Sequence, residues 1–253
     1  MDKNNVGSRE AGFIFDFDFK YKIGELWQFQ INPFLQVNKS NIKDKNLLEP
    51  NEVNLQYKKN SKKILLGYHR TNWEGTDLVN PMDFIHPKNY LNPLFAQSRP
   101  SMGLFYSDQF KQVGFDFIYI PRQEKSILPS KTSSWWPRDL NLPLISGNTV
   151  LLLPDQIEYE IADDEIVNKA LDNNVALRLQ QHFDSVDISI AVFEGSSQTP
   201  ILDVPTMEAD VIEVGARDVI KLRAHIVIQP TYYRNRVAAT AVSFISNFCI
   251  YRF

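Results

Sequence analysis

Phe13, Phe15, Phe17, Phe19 and Tyr21 take every second position of one short stretch, and Asp16, Asp18, Lys20 and Lys22 fall in the alternate series. A period of two puts successive side chains on opposite faces of a β-strand. Half-buried strands of soluble sandwiches alternate as well. Five successive aromatics opposite four charges is more than such a strand needs.

The same period recurs along the chain. After a turn at Gly24 and Glu25, Trp27, Phe29, Ile31, Leu35 and Val37 oppose Gln28, Gln30, Asn32, Gln36 and Asn38. Further strands are expected at Val53 to Lys58, Ile64 to Tyr68, Met102 to Tyr106, Val113 to Tyr119, Val175 to Phe183 and Val186 to Val192. A ninth fits Ile220 to Ile228 and a tenth Val237 to Tyr251. No helix-period segment has comparable strength; Asp163 to Asp172 allows about two helical turns inside a loop.

Loop lengths follow a parity. Connections after strands 1, 3, 5, 7 and 9 are short, and those after 2, 4, 6 and 8 are long and rich in Pro, Asn, Asp and Ser. Short turns at one end and long loops at the other mark outer-membrane barrels, whereas Greek-key sandwiches have no reason to keep such a parity. The expected fold is therefore all-β, an antiparallel transmembrane β-barrel in an up-and-down meander. Residues 1–12 read as a disordered stub and 13–253 as one barrel domain, with long external loops at about 71–101 and 121–174.

Composition agrees with that expectation. Mean hydropathy is -0.28 and no apolar run approaches the roughly 18 residues of a spanning helix. Barrel strands face lipid with alternate side chains only, so their average looks hydrophilic. Aromatics are plentiful, with 17 Phe, 10 Tyr and 4 Trp. The lone Cys249 excludes a disulfide within the chain and any multi-cysteine metal site. A net charge of -3 gives no broad basic surface for nucleic acid, and four scattered His show no metal-binding spacing. No nucleophile elbow, P-loop or dinucleotide signature is present, so neither enzyme activity nor a cofactor is expected. Met1 to Gly12 contains no apolar signal segment. The loop parity places both chain ends on the external side, which predicts a missing strand before Phe13 and at least one after Phe253.

Gly67-Tyr68-His69-Arg70, Trp73-Glu74-Gly75-Thr76-Asp77 and Asn80-Pro81-Met82-Asp83 together resemble porin-like outer-membrane proteins of Gram-negative bacteria. In one large group of these, a strand runs into a Trp-Gly, Asp and Asn-Pro-x-Asp loop; here Glu74 separates Trp73 from Gly75. Pro230-Thr231-Tyr232-Tyr233-Arg234 is similar to the Pro-x-Tyr-x-Arg turn of the same group. The resemblance implies an outer-membrane pore or substrate-specific channel, with the lipid bilayer and small hydrophilic solutes as partners, and no catalytic residues. Assembly into a homo-oligomer stays open.

Within a barrel, Lys221, Arg223 and His225 would line the lumen and favour anionic solutes; the alternatives are a solvated strand face, or charges paired with Asp16, Asp18 or Asp187 across the lumen. The Asp16, Asp18, Lys20, Lys22 row reads as cross-strand ion pairing. Trp27, Tyr57, Tyr68, Trp73, Tyr106, Tyr119, Tyr232 and Tyr251 fall near strand ends, as an interfacial girdle would. The 121–174 loop, with Trp135-Trp136-Pro137, would fold inward, cap the barrel or meet a partner. Two rival readings remain: a soluble all-β carbohydrate- or ligand-binding module stacking sugars on Trp135 and Trp136, and a β-rich hydrolase using loop carboxylates.

Overall fold

The computed structural model describes residues 12–38, 47–73, 80, 82–91, 94, 96–129, 149–152, 158–161, 166–203, 206–214, 217–245 and 250–252, with only the backbone for much of 149–168 and 206–225. The strands are β1 (Gly12–Asp16), β2 (Phe19–Ile23), β3 (Trp27–Asn38), β4 (Leu47–Lys59), β5 (Lys62–His69), β6 (Lys88–Asn89), β7 (Gln97–Ser98), β8 (Ser101–Phe110), β9 (Val113–Arg122), β10 (Thr149–Leu152), β11 (Glu158–Ile161), β12 (Asp172–His182), β13 (Val186–Ser196), β14 (Ile201–Leu202), β15 (Thr206–Val214), β16 (Arg217–Ile228), β17 (Pro230–Thr231), β18 (Arg234–Ile245) and β19 (Ile250–Arg252). The chain is all-β, and no α-helix occurs among the described residues. It forms two compact units. One takes in Met1–Leu128, Ala170–Thr199 and Tyr233–Phe253, the other Pro129–Lys169 and Pro200–Tyr232.

The first unit is built on an 11-stranded antiparallel sheet in which spatial order follows chain order, β1-β3-β4-β5-β8-β9-β12-β13-β18-β19, with β2 also on β3. The meander holds, and four of the five expected short connections join neighbours in this sheet: β2–β3, β4–β5, β8–β9 and β12–β13 take two or three residues each. The expected barrel is not closed. Among the described residues β1, β2 and β19 are edges, with no pairing that joins them.

Local chemistry explains two irregularities. Phe13 to Ile23 is one run in register with β3, yet it breaks at Phe17 and Asp18, where the facing position of β3 is Pro33; proline has no N–H to give the ladder. Between Asn32↔Glu52 and Phe34↔Glu49 one residue of β3 faces two of β4, Pro50 and Asn51. This β-bulge brings Glu49 and Glu52, three apart in sequence, onto the same face of the sheet.

The two faces differ in exposure, and both carry apolar residues. One carries Leu66, Met102, Leu177, Leu179, Ile190, Val192 and Phe244, all exposed, with Leu179 at 54% and Ile190 at 53%. The other buries polar residues such as Asn54, Ser101, Asn174 and Ser189. It also carries the row Leu65, Phe105, Ile118, Ala176 and Phe193 in direct cross-strand register, which forms the core with Trp73, Met82, Phe84 and Ile85 of the β5–β8 connection.

In the second unit β16 is central. It pairs antiparallel with β15 along one edge and parallel with β10 and then β11 along the other. The expected ninth meander strand is thus corrected: β16 lies outside the large sheet, and β13 pairs directly with β18 over eleven positions, Val186↔Phe244 to Ser196↔Arg234. A hairpin partner two residues away is entropically nearer than an insertion between two matched strands. The long 121–174 and 195–233 stretches contribute β10 and β11, and β15 and β16, to this small sheet.

Candidate functional site

The polar face of the large sheet, with the segment folded onto it, carries a set of part-buried charged side chains, whereas Glu194 and Arg236 pair on the opposite face. Lys63, Ser107, Asp116 and Arg178 make one cross-strand row, each directly opposite the next on β5, β8, β9 and β12. Arg178 Nε and Nη2 reach Asp116 Oδ2 at 2.7 and 2.6 Å, with both side chains about six-sevenths buried. Two rows nearer the β12–β13 turn, His182 Nδ1 meets Asp187 Oδ1 at 2.9 Å across the hairpin. At the long-connection end, His69 Nδ1 lies 2.9 Å from both oxygens of Glu52, so the ring donates from Nδ1. The second acid presented by the bulge, Glu49, pairs with Arg99, which also holds Glu124 at 3.0 Å.

Trp73, 2% exposed, anchors the segment that turns back from β5. Its ring lies 5.1 Å from the Arg178 guanidinium, a cation–π contact, and it packs edge-on against Phe84, which packs in turn on Phe193. Asn80 closes the turn, donating from Nδ2 to the Trp73 carbonyl at 2.7 Å and accepting from the Met82 amide at 3.1 Å. His86 is fully buried, and its Nε2 accepts the Thr71 N–H at 2.8 Å. That fixes the neutral ring with its proton on Nδ1, donated to Ser101 Oγ at 2.9 Å. Burial holds His86 far below the usual imidazole range, at about 3. Neighbouring connections clamp the segment: Gln123 Nε2 donates to the Ile85 carbonyl at 2.6 Å, and Gln198 Nε2 to the Asp83 and His86 carbonyls at 2.7 Å each. Lys88, Asp83 and Ser98 lock its far end together.

Three polar cavities lie around the Thr71 to Trp73 turn. One of about 680 Å³ includes Glu49, Glu52, Arg70, Asp83 and Arg99 in its wall. Another, of about 180 Å³, is bounded by Lys63, His69, Trp73, Asp116 and Arg178. A third, of about 280 Å³, meets Gln180, His182, Asp187 and Ser189. Asn72 borders all three.

Several expectations need correction. Lys221, Arg223 and His225 do not lie on the large sheet; they belong to β16, where Lys221 faces Leu152 and Asp210 in backbone register and His225 faces Glu158. Lys20 pairs with Asp18 two residues away at 2.5 Å, not across strands, while Gln30 of β3 donates to Asp18 at 3.3 Å. Asp16 is placed by its backbone opposite Phe34. Trp73 is a core residue rather than a girdle member, and Tyr232 is buried. Trp27 and Tyr57 do meet near the short turns, ring centroids 5.0 Å apart. Tyr68 and Tyr119 sit towards the long connections, Tyr119 donating to Asn173 at 2.9 Å. Tyr251 faces Phe244 in β19. Trp135, Trp136 and the acidic Asp163-Asp164-Glu165 lie outside the described residues.

The residues that do meet on the polar face, Asp116, Arg178, Glu49, Glu52 and Arg99, were not singled out by sequence. Their signal was the polar series opposite each apolar series, which becomes a site only once cross-strand register is known. No model of a known protein family matches the chain, and no curated protein does either.

Proposed function

We propose that this chain forms the wall of a porin-like outer-membrane channel for passive uptake of small hydrophilic solutes. The observation that carries the reading is the exposed apolar face of the large sheet. Leu66, Met102, Leu179, Ile190 and Phe244 are exposed on one face while Asn54, Ser101 and the Asp116–Arg178 pair are covered on the other. In water such a face costs about 25 cal/mol for each Å² of apolar surface left uncovered; against lipid it costs nothing. Sequential antiparallel order and one-sided short turns fit a barrel wall, and the segment carrying Trp73 narrows the polar side. In this reading Trp27 and Tyr57 meet one membrane interface and Tyr68 and Tyr119 the other.

The sheet's two edges must also be paired in lipid, where each open backbone group costs several kcal/mol. Strands beyond those described, or a second copy, would supply that pairing. Fractionation and conductance test the proposal together. The full chain is expected in the outer-membrane fraction, with heat-modifiable gel mobility and ion conductance in planar bilayers. Recovery as a monodisperse soluble monomer overturns it.

A further inference from the structure

Towards the long connections, the exposed apolar face of the large sheet ends in a charged margin. Tyr119, Val175, Glu194 and Arg236 form one row in direct cross-strand register on β9, β12, β13 and β18. Arg234 lies one row further out on β18, opposite Ser196. On the inner side the next row is wholly apolar, Phe117, Leu177, Val192 and Ala238. A groove of about 620 Å³ spans this boundary. Val175, Leu177, Val192 and Ala238 line its apolar part, with Phe193 and Val237 also bordering it, and Asn173, Glu194, Arg234 and Arg236 complete the wall. Ala238, the smallest side chain of its row, leaves the space.

The two arginines are held in place without being used up. Arg234 donates from Nη1 to the Asp172 carbonyl and from Nη2 to the Asn173 carbonyl at 3.0 Å, and among the described residues no carboxylate neutralises it. Arg236 meets Glu194 at 3.0 Å, with the Arg236 side chain 83% exposed; a pair so exposed is weak and exchanges readily. The nearby Asp172 carboxylate faces Arg122 at 3.6 Å. Two arginines against Glu194 leave one net positive charge, the complement of a phosphodiester, and the guanidinium fork matches phosphate oxygens.

We infer that the groove binds one anionic phosphodiester lipid of the surrounding membrane, its phosphate on Arg234 and Arg236 and an acyl chain along Val175, Leu177, Val192 and Ala238. The order of the rows, charge and then apolar surface, follows the order of groups in such a lipid, and Tyr119 in the charged row suits the membrane interface. The inference rests on the reading of this face as lipid-facing, yet its test needs no pore.

Native mass spectrometry of the full chain in detergent, with added lipid, reads the binding. One phosphatidylglycerol per chain is expected, held about tenfold more tightly than zwitterionic phosphatidylcholine. That preference should vanish when Arg234→Gln and Arg236→Gln are combined, and survive in Lys59→Gln at the exposed β4–β5 turn. Ala238→Phe, which fills the groove and leaves the charges, should weaken both lipids, and glycerol 3-phosphate, a headgroup without chains, should bind far more weakly than either. Equal binding of the two lipids, an undiminished preference in the double variant, or a dimer that seals the groove against phosphatidylglycerol overturns the site. Planar-bilayer conductance separates it from the channel: selective lipid binding without conductance keeps the site and removes the pore, and conductance without lipid preference does the reverse.

Discussion

At the scale of single residues, the pairings on the polar face are specific enough to give measurable consequences. His86 is held neutral by burial, with an acid–base midpoint of about 3 against an ordinary 6.5. Below pH 6.5 the unfolded chain binds a proton that the native ring refuses. Stability contributed by this site is therefore full above about pH 6.5 and declines as pH falls towards 3, by at most about 1.4 kcal/mol per pH unit. Urea midpoints between pH 7 and pH 5, where most carboxylates remain charged, should fall with acidification. His86→Asn should flatten that slope; equal slopes in the two proteins would show that His86 does not set it. None of this was legible in the sequence. His86 read as one of four scattered histidines, and its role depends on Thr71, fifteen residues away, and Ser101 meeting it in space.

Secondary elements were far more legible than pairings, because alternation is a local property and a partner is not. The strands at 27–38, 62–69, 101–110, 113–122 and 186–196 show the period of two plainly. Failures came where a local irregularity hid the period or where two partners competed. β15 was missed because its run contains adjacent Val211 and Ile212 and acids at 208, 210 and 213, and its pairing slips between Met207 and Ala209. β16 was recognised but placed in the wrong sheet, since alternation names a face and not a neighbour. The Asn80, Met82 and Asp83 part of the Asn-Pro-x-Asp loop shapes the segment folded onto the polar face.

At the element scale Gly67 makes the sharpest prediction. It sits in β5 with φ +131°, and an added Cβ would lie 2.3 Å from the Val53 carbonyl oxygen of β4. Only glycine adopts that conformation at low cost. Gly67→Ala should destabilise the sheet by about 1–3 kcal/mol, read as a lower urea midpoint with faster amide exchange across β4 and β5. An unchanged midpoint would mean that the β4–β5 pairing relaxes without cost.

At the scale of the whole molecule, the question is which solvent the Leu179 face meets, and a charge placed on it gives opposite answers in the two cases. Leu179 sits in the middle of β12, opposite Phe115 on one side and Ile190 on the other, 54% exposed. Gln56 on β4 belongs to the polar series, opposite Leu65 and Gln28. If the face meets lipid, Leu179→Arg costs about 2–4 kcal/mol near the bilayer centre and sharply lowers the folded fraction in liposomes, whereas Gln56→Arg on the polar side is tolerated. If the face meets water, Leu179→Arg changes stability by less than about 0.5 kcal/mol and improves solubility by breaking an apolar patch. Folding yields of the two variants in lipid vesicles and in buffer distinguish these outcomes. A Leu179→Arg protein that folds in buffer as well as the parent, and no worse in vesicles, would assign the apolar face to water and remove the channel reading along with it.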